Sequence, residues 1–140
     1  MSIFELDVRD LAANRDVKGL IDALNYEKAD IRSTVADALP EIGTDAQIAL
    51  PALIEALKDG DENVRNHVAE AIHTIAGQIS VPSLIEALKD DESWIRQMAA
   101  CTLGVLGPNA KAALYALIES LKDEDTSVRK RALEAIKKID

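Results

Sequence analysis

The sequence predicts an all-α chain, an α-solenoid of four stacked helical hairpins, and three observations carry that expectation. The strings Leu20-Ile21-Asp22-Ala23-Leu24, Leu53-Ile54-Glu55-Ala56-Leu57, Leu84-Ile85-Glu86-Ala87-Leu88 and Leu117-Ile118-Glu119-Ser120-Leu121 recur about every 31 to 33 residues, the mark of a repeat architecture. A second motif, Ile31-Arg32, Val64-Arg65, Ile95-Arg96 and Val128-Arg129, follows the first at the same distance in every copy. Around both motifs apolar residues fall at i, i+3, i+4 and i+7, the period of a helix rather than a strand.

Residues 1–15 hold no full repeat and are expected to form a short helix capping the first hairpin. The hairpins then occupy about 16–43, 46–77, 80–107 and 110–140. In each, helix A carries the first motif, with an inward face such as Val17, Leu20, Ile21, Leu24 or Leu50, Leu53, Ile54, Leu57. Helix B opens at the second motif, as in Val64, Val68, Ala71, Ile72 and Ile75, and its small alanines admit a close neighbour. Between them the acidic turns Asp59-Gly60-Asp61-Glu62, Asp90-Asp91-Glu92 and Asp123-Glu124-Asp125 supply N-cap oxygens and negative charge at the start of helix B. Gly43, Gly77 and Gly107 stand where helix B should stop. Pro40 falls inside the first helix B and should kink or end it, while Gly104 holds the same column in the third. Neither helix of a hairpin can bury its face alone, so hairpins must stack.

The net charge of −9 opposes phosphate backbones and anionic lipid, so nucleic acid and membrane are not expected partners. Cys101 is the only cysteine, which excludes an internal disulfide and a thiolate metal cage and fits a reducing compartment. The N-terminus shows no basic and apolar leader, and no apolar run is expected to reach bilayer-spanning length, which suggests a cytoplasmic protein.

The pattern Pro-x-Leu-Ile-x-Ala-Leu-x-Asp, an acidic turn, Val-Arg and an Ala-rich helix ending in Gly resembles HEAT-like repeats of the short phycobilisome-lyase type over roughly residues 16–140. Pro51 and Pro82 stand at that family's helix A proline; Lys18 and Tyr115 depart from it. The resemblance implies a right-handed superhelix of armadillo/HEAT type with the B helices on its concave side. It also implies an inter-repeat hydrogen-bonded ladder of an aspartate and the arginine six residues on: Asp59/Arg65, Asp90/Arg96 and Asp123/Arg129. Tyr26 replaces the aspartate in the first repeat, which implies a missing rung and an adapted end cap. Binding of another protein or peptide without catalysis is the function implied. The rival is an accessory or catalytic subunit related to bilin lyases and isomerases, although those are commonly longer, paired chains.

Other chemistry lacks parts. Asp59, Asp61, Asn63 and Glu70 match EF-hand positions, but Val64 stands where the loop needs Gly and helix B already begins there. His67 and His73 are six residues apart, on different faces of a helix, and neither belongs to a His-Glu pair. No nucleophile sits beside a base, so no catalytic, cofactor or metal site is expected. The informative departure is the outward column of the third helix B. It reads Trp94, Met98, Cys101, Val105 where the first repeat has Asp30, Thr34, Asp37, Glu41, the second Asn63, His67, Glu70, Thr74, and the fourth Ser127, Arg131, Glu134, Lys138. As an exposed second apolar face it would anchor a partner helix or peptide, flanked by His67, Glu70 and Arg131. Packing against a neighbouring repeat is the competing reading, and self-association through an exposed solenoid end is a further possibility.

Overall fold

The computed structural model describes residues 7–140, and among the described residues every regular element is helical. The opening helix is α1 (Val8–Ala13), whose N-cap Asp7 accepts the amides of Arg9 and Asp10. The A helices are α2 (Val17–Ala23), α4 (Leu50–Ala56), α6 (Val81–Ala87) and α8 (Leu114–Ser120). The B helices are α3 (Ala29–Ala38), α5 (Glu62–Ala76), α7 (Ser93–Leu106) and α9 (Thr126–Ile139). This alternation of short A and longer B helices places the chain in the all-α class of helical-hairpin solenoids. Residues 1–6 of the expected N-terminal segment lie outside the described residues.

Two compact units divide the chain, residues 1–75 and 76–140. In the first, α1 packs on α2 and α3, and Leu20, Val35, Leu39, Leu50, Leu53, Val64 and Val68 are almost fully buried. In the second, α9 lies along α7 and α8, and Leu84, Leu103, Leu117, Val128 and Ile139 form the core. Gly104 sets the α7–α9 spacing: a Cβ there would stand 3.1 Å from Ala135 Cα.

Pro40 ends α3 at Ala38, because a proline ring cannot continue the α ladder, and Leu39–Ile42 winds as a 3₁₀ turn. Gly43 follows at φ 93° and ψ −146°, a conformation essentially closed to residues with a Cβ. Gly107 closes α7 in a similar state, φ 60° and ψ −139°, before the 3₁₀ segment Gly107–Ala113.

Two expectations need correction. Leu57, expected on the buried face of helix A, is 38% exposed, and Leu121 in the same column is 37% exposed, against 5% for Leu24 and Leu88. Leu24 shares a groove with α4 and Leu88 with α8, whereas Leu57 and Leu121 belong to the second hairpin of their units and have no later hairpin of that unit to cover them. The second concerns apolar length. The run Ser93–Ser120 is long and apolar enough to cross a membrane by length and composition. It is three segments, however, broken by the positive φ of Gly107 and by non-helical backbone at Ala110, and its apolar character reflects α7 packed as a core helix.

Candidate functional site

The arginine that opens each helix B is fixed first by its own turn. Arg65, Arg96 and Arg129 donate Nη1 to the main-chain oxygens of Asp59, Asp90 and Asp123, at 2.7, 2.8 and 2.6 Å. Arg32 does the same to Tyr26 O at 2.8 Å. Since a carbonyl accepts the bond, Tyr26 does not remove the first repeat from the arrangement, contrary to the sequence expectation. Between hairpins the aspartate pairs with the arginine of the preceding repeat. Arg32 grips Asp59 through Nε and Nη2 at 2.7 and 3.0 Å, and Arg96 grips Asp123 at 2.8 and 3.1 Å, each pair 27 residues apart. Bidentate geometry and side chains 10–17% exposed make these strong charge-assisted contacts.

Both ends titrate accordingly. The hydrogen bond from Arg32 holds the Asp59 carboxyl below its ordinary range. Burial works to raise Asp123, but Arg96 and the Asp125 amide overcome it and hold this carboxyl low as well. Arg32 and Arg96 are raised by the same bonds. Each carboxylate also accepts an amide of the turn, Asp61 N on Asp59 and Asp125 N on Asp123. Asp61 and Asp125 then cap α5 and α9 through the amides of Asn63 and Val64, and of Ser127 and Val128. Caps of this kind account for the acidic turns as helix starts. In the third hairpin Glu92 makes no cap bond and instead accepts Trp94 Nε1. No group of three or more metal-ligating side chains occurs among the described residues.

In the first unit the B helices α3 and α5 enclose a groove of about 210 Å³ lined by Asp37, Pro40, Glu41, His67, Glu70 and Thr74. His67 donates Nδ1 to Asp37 at 2.6 Å, tying the two helices across the groove. Glu41 and Glu70 are exposed. The groove's charge comes from three carboxylates, with no lysine or arginine among its lining residues.

The second unit overturns the exposed apolar stripe. Trp94 is 43% exposed and Val105 is half-buried, but Met98 and Cys101 are only 6% and 5% exposed. From Met98 to Gly104 every residue of α7 is buried, so two turns are covered on all sides, which is the condition of a core helix rather than an amphipathic one. Thr102, fully buried, satisfies its hydroxyl on Met98 O at 2.8 Å. Arg131, also expected at a partner surface, is 8% exposed and lies 3.5 Å from Glu134. Sequence reading also missed a groove of about 370 Å³ between α6 and α8, lined by Ile85, Leu88, Ala112 and Ala116 and edged by Tyr115, which is 77% exposed. Tyr115's place in the helix A proline column was the available signal.

Two engineered proteins with crystal structures from the Northeast Structural Genomics Consortium share 22% identity with the chain, each over 94% of it, at TM-scores of 0.46 and 0.43. The chain spans 65% and 39% of their lengths. No curated protein matches it. The family model for HEAT repeats matches residues 17–104 and again 81–140, so that nearly the whole chain is accounted for, and the protein belongs to the HEAT repeat family.

Proposed function

We propose that this HEAT-repeat chain is a non-catalytic scaffold that binds a basic peptide or helix of another protein along the B helices of its first unit. The observation that carries the reading is the α3–α5 groove, whose carboxylates Asp37, Glu41 and Glu70 meet no lysine or arginine in the lining. His67 and Glu70, picked out by sequence, belong to it; Asp37 and Glu41 join them. A cationic side chain would find charge and hydrogen-bond acceptors there, and Pro40 and Ala71 supply apolar contact for its stem. Trp94 offers a separate, partly exposed aromatic contact in the second unit, of the kind that anchors interfaces. The net charge of −9 favours a basic protein partner over nucleic acid. The motif around Pro51 and Pro82 supports the short phycobilisome-lyase subtype, as a matter of repeat form rather than of activity.

The test is fluorescence anisotropy with a labelled lysine- and arginine-rich helical peptide. We expect Glu41→Lys with Glu70→Lys to raise Kd at least tenfold, and the wild-type affinity to fall with added salt. Unchanged affinity in the double variant would remove the groove as the binding surface.

A further inference from the structure

One bond across the α3–α5 groove ends on a group that can gain a proton near neutral pH. Between about pH 5 and 8 ordinary carboxylates, lysines and arginines keep their charge, whereas an imidazole does not. His67 and His73 are the only histidines of the chain. His67 Nδ1 lies 2.6 Å from Asp37 Oδ1, a bond between side chains 30 residues apart that ties α5 to α3. The ladder bond of the same unit, from Arg32 to Asp59, has a fixed cation at its end instead. In the second unit the columns of Asp37 and His67 hold Cys101 and Arg131, so the histidine clasp belongs to the first unit alone.

The tautomer follows from the partner. A carboxylate only accepts, so neutral His67 gives its single N–H to Asp37 and keeps Nε2 as an acceptor. A proton on Nε2 turns that acceptor into a donor and makes the ring a cation held against Asp37. Within the first unit the charged groups that line the groove with the ring are Asp37 on α3, Glu41 on the 3₁₀ turn after it and Glu70 on α5 itself, all acidic. The protonated ring is then the one positive charge in the lining, and it competes with a partner's cation for the same oxygens. His73, six residues on, is exposed and does not line the groove. We infer that His67 is a proton-operated regulator of this groove: neutral, it leaves the three carboxylates to a basic peptide; protonated, it pairs with Asp37 and repels the peptide's lysine or arginine. The regulation rests on the groove being the binding surface for that peptide.

The experiment is fluorescence anisotropy with a histidine-free lysine- and arginine-rich peptide, blocked at both ends so that its own charge is constant, at about pH 8 and about pH 5.5 and one ionic strength. The wild-type Kd should rise roughly fivefold or more at the lower pH. His67→Gln, whose amide can still donate to Asp37 but gains no proton, should change by less than about twofold over the same interval, and His73→Gln should keep the wild-type response. Circular dichroism at both pH values verifies the fold of each variant, and His67→Asn replaces His67→Gln if the latter does not fold. A wild-type Kd equal at both pH values, or a pH response kept by His67→Gln or lost in His73→Gln, overturns the inference and leaves the groove standing as a binding surface. A peptide that binds at neither pH overturns both.

Discussion

Helices α3 and α7 occupy the same place in their hairpins and use it in opposite ways. In α3 the outward column is polar and open: Thr34, Asp37 and Glu41 are exposed, and Pro40 stops the helix after ten residues. In α7 the same column holds Met98 and Cys101, both buried, and Gly104 in place of proline lets the helix run on for fourteen residues close against Ala135. One helix presents a surface and the other is core. A column's role in a repeat protein therefore depends on its neighbours, and repeats of one motif need not share a binding face.

That contrast is broken most sharply by one substitution made in both columns. Met98→Glu puts an unpaired carboxylate into a nearly closed site and should cost on the order of 3 kcal/mol or more, whereas Thr34→Glu should stay within about 0.5 kcal/mol. Urea unfolding followed by circular dichroism compares them, and equal losses would mean that α7 is open like α3. A second pair sharpens the difference between covered and uncovered helix A leucines. Leu88→Ala should cost about 2–5 kcal/mol, and Leu57→Ala about 1 kcal/mol, since Leu57 already has 38% of its surface in water. Matching values would show Leu57 to be core.

A smaller effect, shared by the Arg32–Asp59 and Arg96–Asp123 pairs, depends on pH. The folded pKa values of Asp59 and Asp123 lie below those of the unfolded chain, so their stabilisation is complete above the unfolded carboxylate value of about 3.9 and is lost as pH falls through the depressed folded values. Asp123→Asn should accordingly cost about 1–3 kcal/mol at pH 7 and progressively less in strong acid, where the native carboxyl is itself protonated. A deficit independent of pH would assign the loss to packing. Arg96, with its pKa raised, stays charged throughout.

Much of this was legible in sequence because it is periodic. Spacing alone located four hairpins, the stops at Pro40, Gly43 and Gly107, and the inward set from Val64 to Ile75, all of which the fold contains. What spacing could not supply is the partner across a gap. The resemblance implies Asp59 and Arg65 as members of an inter-repeat ladder; Arg65 bonds the main-chain oxygen of Asp59, while the Asp59 carboxylate belongs to Arg32, 27 residues away. The Arg32–Asp59 and Arg96–Asp123 separations are identical, a signal visible in the sequence once pairs are sought between repeats instead of within them. The choice between a docking face and packing for the Trp94 column needed the fold for a different reason. Polarity in α3 and α5 defined its column as outward, and seven consecutive buried residues in α7 leave no outward side at that level.

On the proposed function the acidic groove of α3 and α5, and not the α7 stripe, receives a partner. The direct measurement sets two variants against one basic helical peptide: Glu41→Lys/Glu70→Lys in the groove, and Val105→Lys at the half-buried end of the stripe. With melting curves verifying the fold of each, the account predicts at least a tenfold rise in Kd for the groove variant and a change of less than twofold for Val105→Lys. A loss of binding in Val105→Lys with the groove variant unaffected would contradict it.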